Sequence, residues 1–295
     1  MTRFILDSGD PEEYKEAAVL LQKHGKELWG STTNPSLIAK KIASTGTKLT
    51  KTEAFALQQS LVKEILDLVP NAVSAEVYAD TDTKAQEMIE QGIEIAGWDK
   101  RVVVKLPTTI EGFKARTELR RNNSITNNTL VFSEQQIFAI CLHEHLIQTT
   151  FGKKESLWPP FISPFVGRLD DIGVNGMALV KNGMLLKKRF TEDLWMLEAS
   201  VRSSEHIEQG IMLDSELITA PLKTYQSWLE GNTAASATPD LPSTDQAWTP
   251  TDDLLAISTL EGFMQAIEHG TLDISHDLTD KGIIKFAEDW KAVLS

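Results

Sequence analysis

Cysteine is nearly absent from this chain. Cys141 is the single example, so no disulfide can form within the chain, and a lone thiol fits a reducing compartment. It sits in an apolar, helix-like run and reads as a core residue. No stretch reaches eighteen apolar residues, and the N-terminus has no basic segment leading into an apolar core. The expectation is a cytoplasmic protein with no membrane partner. Basic charge is short as well: 29 Lys and Arg stand against 42 Asp and Glu, a net charge of −13. That balance argues against a nucleic-acid partner, which calls for a basic patch. An anionic substrate would need a local basic pocket in an acidic body. No metal is expected either. His143-Glu144-His145 comes nearest to a ligand motif, but its histidines stand two apart rather than the four that puts ligands on one helix face. There is no internal repeat and no long low-complexity tract.

What is present is enough apolar material, 41% of 295 residues, for one large α/β domain or two small ones. The chain is organised around Arg101-Val102-Val103-Val104-Lys105-Leu106-Pro107. Three β-branched residues in succession, stopped by proline, read as a strand buried on both faces, as in a parallel sheet wrapped by helices. A lysine inside such a strand is costly unless paired or neutral, and a neutral lysine is a nucleophile toward carbonyls. From this run alone, the ordinary reading of a strand-end lysine whose ammonium snorkels to water is the better one.

Strand-like and helix-like segments alternate around this run. Strands are expected near residues 3–7, 28–32, 73–78, 102–106, 130–133, 161–166, 194–199 and 216–219. Helix starts are marked by Asp10-Pro11 with Glu13 completing a capping box, by Asn34-Pro35, and by Ser133-Glu-Gln-Gln. Helices are also expected over 51–68, 81–96 and 111–121. Eight strands alternating with helices predict a closed (β/α)8 barrel, the TIM barrel of the α/β class, over residues 1–230. Residues 231–251, rich in Ala, Ser, Thr and Pro, read as a linker or long loop. Residues 252–295 form amphipathic helices, with Ile283, Phe286, Ala287, Trp290 and Leu294 on one face, expected to pack on the barrel or a partner.

In such barrels chemistry collects at the C-terminal ends of the strands. Asp7, Asn34, Glu76, Lys105, Asn127, Thr129, Ser163, Arg168, Ser200 and Arg202 all fall at or just past those ends. Each has an ordinary reading: Asn34 a helix cap, Thr129 a strand residue, Ser163 an interior filler, Asp7 the partner of a structural lysine. Ten polar groups converging on one mouth are harder to dismiss, because burying them without a ligand is expensive.

The stretches Phe4-Ile-Leu-Asp-Ser-Gly-Asp10, Thr32-Thr-Asn-Pro-Ser-Leu37, Val73-Ser-Ala-Glu-Val77, Val104-Lys-Leu-Pro107, Asn127-Asn-Thr-Leu-Val-Phe-Ser133, Ser163-Pro-Phe-Val-Gly-Arg168 and Ala199-Ser-Val-Arg202 occur in this order along the chain. In these stretches, and on into the final helix, the sequence resembles the transaldolase family. It implies that Lys105 forms a Schiff base with a ketose, that Asp7 is the general base, and that Glu76 and Thr129 hold a proton-shuttling water. It further implies that Asn34 and Asn127 hold substrate hydroxyls, that Arg168, Ser200 and Arg202 bind a terminal phosphate, and that Ser163 and Phe165 line the substrate site. Sugar phosphates are then the partners, no cofactor is needed because the iminium is the electron sink, and assembly into a homo-oligomer is left open. In related aldolases a tyrosine stands at the place of Phe165 and a glutamine at that of Glu76. Two departures stand out. The stretch between Ser133 and Ser163 is longer than the family norm by about a dozen residues, and residues 79–83 differ from the family pattern. The extra piece, within 149–160, is expected near the N-terminal end of a strand. Rival readings are an aldolase releasing free dihydroxyacetone and a catalytically silent sugar-phosphate-binding barrel.

Overall fold

Eight parallel strands close on one another in chain order, the first pairing with the eighth. The computed structural model describes residues 2–44, 46–190, 193–231, 240–243 and 247–295. The elements run β1 (Arg3–Asp7), α1 (Pro11–Lys23), β2 (Leu28–Thr32), α2 (Pro35–Ala43), α3 (Lys51–Leu68), β3 (Val73–Glu76) and α4 (Ala85–Ala96). They continue with β4 (Val102–Pro107), α5 (Ile110–Arg121), β5 (Thr126–Val131), α6 (Glu134–Phe151), β6 (Phe161–Pro164), α7 (Val166–Asp170), α8 (Gly176–Lys187) and β7 (Trp195–Glu198). Last come α9 (Ser204–Met212), β8 (Leu217–Ala220), α10 (Leu222–Glu230), α11 (Asp252–Leu255), α12 (Leu260–Glu268) and α13 (Asp277–Ala292). This is the TIM barrel with extra C-terminal helices. The expected linker over 231–251 falls largely outside the described residues, which omit 232–239 and 244–246. Among the described residues no helix is long and apolar enough to cross a membrane.

The local signals act much as their chemistry dictates. Thr50 and Glu53 cap α3 reciprocally, and Ser133 and Gln136 do the same for α6. At α1 the reciprocal cap does not form. The Asp10 side chain accepts from Glu12 N–H, but the Asp10 N–H that Glu13 would have to receive is already given to Ser8 Oγ at 3.0 Å. α4 begins at Ala85, not at 81, because Asp80 Oδ1 accepts from the Asp82 and Thr83 amides and from Thr83 Oγ1. That turn competes with helix for the same donors. β5 begins at Thr126, four residues before the expected strand, because its polar Thr-Asn-Asn-Thr run pairs with β4 through Lys105↔Asn127 and Pro107↔Thr129.

The strand bottoms are sealed by aromatic side chains. Trp195 stacks on Phe161 at 5.9 Å, Arg3 lies 4.2 Å over the Trp195 ring, and Trp29 meets both Trp195 and Trp158. Trp158 belongs to the extra segment, which therefore lies at the N-terminal end of the barrel, opposite the mouth. His143 and Glu144, the would-be metal motif, are buried between α5 and α6. Glu144 receives Arg116 at 2.8 Å and Arg120 at 2.7 Å, and His143 Nδ1 is 2.6 Å from Arg116. That is an ion-pair network, and among the described residues no cluster of His, Cys, Asp and Glu could hold a metal.

One buried acid has no such support. Glu198 on β7 faces outward against α9, where a Cβ on Gly210 would come within 2.1 Å of its Oε2. Neither carboxylate oxygen has a hydrogen-bond partner among the described residues, and burial pushes the group well above the usual carboxylate range. In the folded state it keeps a proton that the unfolded chain releases above about pH 4.3. Its contribution is therefore most favourable below that pH and is lost as pH rises toward the folded value. Glu198→Met should raise stability in urea denaturation by about 1–3 kcal/mol at pH 8, the cost of an unsatisfied buried polar group, and by clearly less at pH 4.

Candidate active site

Strand periodicity aims alternate residues of each strand into the barrel, and at the C-terminal ends those residues are almost all polar. Lys105 on β4 sits in register with Glu76 on β3 and Asn127 on β5. Its Nζ donates to the Thr33 carbonyl at 2.9 Å and lies 3.1 Å from Glu76 Oε2. That carboxylate oxygen makes an ion-pair contact but accepts no aligned hydrogen bond, and Thr129 Oγ1 is likewise without a partner among the described residues. Both are buried, Glu76 against the lysine and Thr129 two residues along β5 from Asn127.

Across the mouth, Asp7 ends β1. Its Oδ1 accepts from Thr32 Oγ1 at 2.7 Å, and Thr32 is also 2.7 Å from Thr219 on β8. Burial pushes the Asp7 carboxyl up, with Lys105, the Thr32 hydrogen bond and Arg168 pulling it back. Glu76 is also raised by burial, opposed by Lys105. Ser163 Oγ donates to Asn127 Oδ1 at 2.6 Å, and Asn127 Nδ2 reaches Ser74 Oγ at 3.3 Å. These bonds hold the Asn127 amide in one orientation across three strands.

Above this floor lies a cavity of about 170 Å³ lined by Asp7, Thr32, Asn34, Lys105, Ser163, Phe165, Arg168, Leu197, Ala199, Ser200, Arg202 and Thr219. Asn34 caps α2 through its side-chain oxygen while facing the cavity, so the ordinary and the functional reading hold together. Arg168 lies on the short helix α7, which the sequence reading had treated as a strand end. Its guanidinium is flanked by the rings of Phe165 at 5.1 Å and Phe286 of α13 at 5.3 Å. Burial lowers its pKa, while Glu76 raises it. Ser200 takes φ +57°, an uncommon backbone for a non-glycine residue and one that costs energy held by the surroundings.

All ten polar residues singled out from the sequence, and Phe165, therefore converge on one end of the barrel. Glu76, Asn127 and Thr129 form its buried floor rather than its open lining. Thr32 and Thr219 were missed, although each ends an expected strand on the inward face. The Thr33 carbonyl was not readable, since any residue supplies one.

The model for "Transaldolase/Fructose-6-phosphate aldolase" matches residues 4–295. The chain belongs to this family. It is 31% identical over 291 residues to a probable transaldolase of Brevibacillus brevis, covering 99% of each chain. It is 31% identical to a probable transaldolase of Lactiplantibacillus plantarum, covering 98% of this chain and 97% of that one. A probable transaldolase of Chlorobaculum parvum is 38% identical over 219 residues, 74% of this chain and 86% of its own.

The site's electrostatics can be tested without any substrate. Lys105 opposes the desolvation of both Asp7 and Glu76. Without it their folded pKa values rise further above the unfolded ones, so stability should be retained below about pH 4 and lost as pH rises. The gap in unfolding free energy between Lys105→Met and the native protein should widen from pH 4 to pH 8, toward the about 3–5 kcal/mol of a broken buried pair. A gap independent of pH would separate the lysine from the two acids.

Proposed function

We propose that the protein is a transaldolase, moving a dihydroxyacetone unit from a ketose phosphate, such as sedoheptulose 7-phosphate or fructose 6-phosphate, to an aldose phosphate. The observation that carries this reading is the buried Lys105 beside Glu76, under a cavity with Arg168 and Arg202 at its rim. An amine nucleophile and a nearby proton acceptor at one end, and two guanidinium groups at the other, fit a ketose carrying an anion.

In this reading Lys105 Nζ attacks the C2 carbonyl, and its proton passes to Glu76. The carbinolamine loses water, helped by a proton returned through a water held between Glu76 and Thr129, and leaves an iminium. Asp7 takes the proton of the C4 hydroxyl. The C3–C4 bond breaks, the aldose departs, and the bonding electrons flow into the iminium to give an enamine. Asn34, Asn127 and Ser163 hold the hydroxyls of the retained three-carbon unit. The acceptor aldehyde then takes up the enamine carbon, Asp7 returns its proton, and hydrolysis of the new iminium frees Lys105. A raised carboxyl at Asp7 suits an acid and base used in turn. Arg168, Ser200 and Arg202 hold the phosphate.

Phe165 supports transfer over release. It lines the cavity, and a phenyl ring can neither orient water nor pass a proton, whereas a tyrosine hydroxyl there could do both. Fructose 6-phosphate alone should give slow release of free dihydroxyacetone, and added erythrose 4-phosphate should give fast turnover. Phe165→Tyr should shift activity toward release. Rapid release by the native protein without an acceptor would favour the aldolase reading. In steady-state kinetics Arg168→Ala should weaken phosphorylated substrates by about 1.5–3 kcal/mol, the worth of charge-assisted hydrogen bonds, and unphosphorylated ketoses much less.

A further inference from the structure

The arginine at the outer edge of the cavity is already paired. Arg202 Nη1 donates to Asp171 Oδ1 at 2.5 Å, just past the end of α7. The neighbouring acid, Asp170, is engaged differently: its Oδ2 is 2.8 Å from His206 Nε2, and His206 Nδ1 accepts the backbone N–H of Arg202 at 3.3 Å. Asp171 is also among the acids whose field acts on Arg168. At the rim Asp171 sets one carboxylate against the guanidinium groups of Arg168 and Arg202, so an arriving anion meets less positive charge than the two arginines alone would present.

We propose that Asp171 is a built-in competitor for the anion subsite. Its carboxylate occupies the place on Arg202 that a substrate phosphate takes, and so sets how strongly the protein prefers phosphorylated over unphosphorylated ketoses. This rests on the transaldolase reading for the identity of the anion, but the competition itself concerns any phosphate.

Two observations favour competition over support. The Asp171–Arg202 pair is half exposed, at 55% and 48% of the two side chains, and such a pair is weak and easily exchanged. Arg202 does not need Asp171 to find its position. Its stem lies across Gly167, where a Cβ would come within 2.7 Å of Nε and 2.8 Å of Cδ, and its backbone is held by His206. Asp171 makes one hydrogen bond to Nη1, whereas a phosphate offers several oxygens to both arginines at once. The dianion therefore displaces the carboxylate, but must first work against it.

The test is phosphate affinity in Asp171→Asn and Asp171→Glu, with the native full chain as reference. Inorganic phosphate, titrated calorimetrically at low ionic strength, should bind Asp171→Asn about three- to fivefold more tightly than native protein, the upper end of what one exposed charge pair is worth. Asp171→Glu keeps the competing charge and should stay within about twofold of native. The ratio of KM for fructose to KM for fructose 6-phosphate should rise in Asp171→Asn by a similar factor, with kcat for the phosphorylated sugar changed little. Unchanged or weaker phosphate binding in Asp171→Asn overturns the proposal and makes Asp171 a support for Arg202. Native protein that binds no phosphate and turns over no sugar phosphate overturns the functional reading and this proposal with it. Native protein that does both, without tightening in Asp171→Asn, overturns the proposal alone.

Discussion

A lysine and a glutamate, 3.1 Å apart and both buried, set the terms for the rest of this barrel. Removing two charges from water costs several kcal/mol apiece, and their attraction repays this only with good geometry and further hydrogen bonds. Here the repayment is incomplete. The lysine finds the Thr33 carbonyl, but among the described residues one carboxylate oxygen is left without a hydrogen bond. A fold meant only to be stable would fill this place with another valine, as β4 does at the three positions before it. Around the pair the barrel supplies polar neighbours in layers: Ser74, Asn127 and Ser163 linked across three strands, and Asp7, Thr32 and Thr219 linked across three more. These links fix rotamers, so the groups are arranged before any ligand arrives.

The C-terminal helix takes part in this order. Thr279 Oγ1 of α13 donates to the carbonyl of Leu130, a residue itself held at φ +57°, while Gln136 of α6 donates to Thr279. Phe286 places a second ring within 5.3 Å of the Arg168 guanidinium, and Asp289 accepts from Ser36 of α2. α13 thus braces β5, α2 and α7 together, all of which carry or adjoin residues at the mouth. Its apolar stripe was plain in the sequence; that the stripe would reach an arginine of the site was not, because periodicity tells which face is buried and not against what.

Much of the barrel could be read from residue order. Val102-Val103-Val104 is a strand on any reading, and alternation of such runs with capped helices leads to the closed architecture. The failures have a common cause, which is side chains competing with the backbone for partners. Asp80 captured the amides that would have started α4, and Ser8 took the amide that Glu13 was expected to receive. β5 was shortened in the reading because its inward residues are Asn127 and Thr129, and polar residues facing a site hide the apolar alternation of a strand. The site itself was legible as a set of residue types at strand ends. Its depth was not: nothing in the order of residues separates Glu76 on the buried floor from Arg202 at the half-exposed rim.

The central claim is that this buried lysine is a nucleophile toward a ketose. Borohydride reduction in the presence of fructose 6-phosphate tests it most directly. The account predicts a stable adduct of the retained three-carbon unit or of the whole sugar, located by peptide mass on the segment holding Lys105 and absent in Lys105→Ala. An adduct on another lysine, or none in the native protein under conditions where it turns the sugar over, would contradict it.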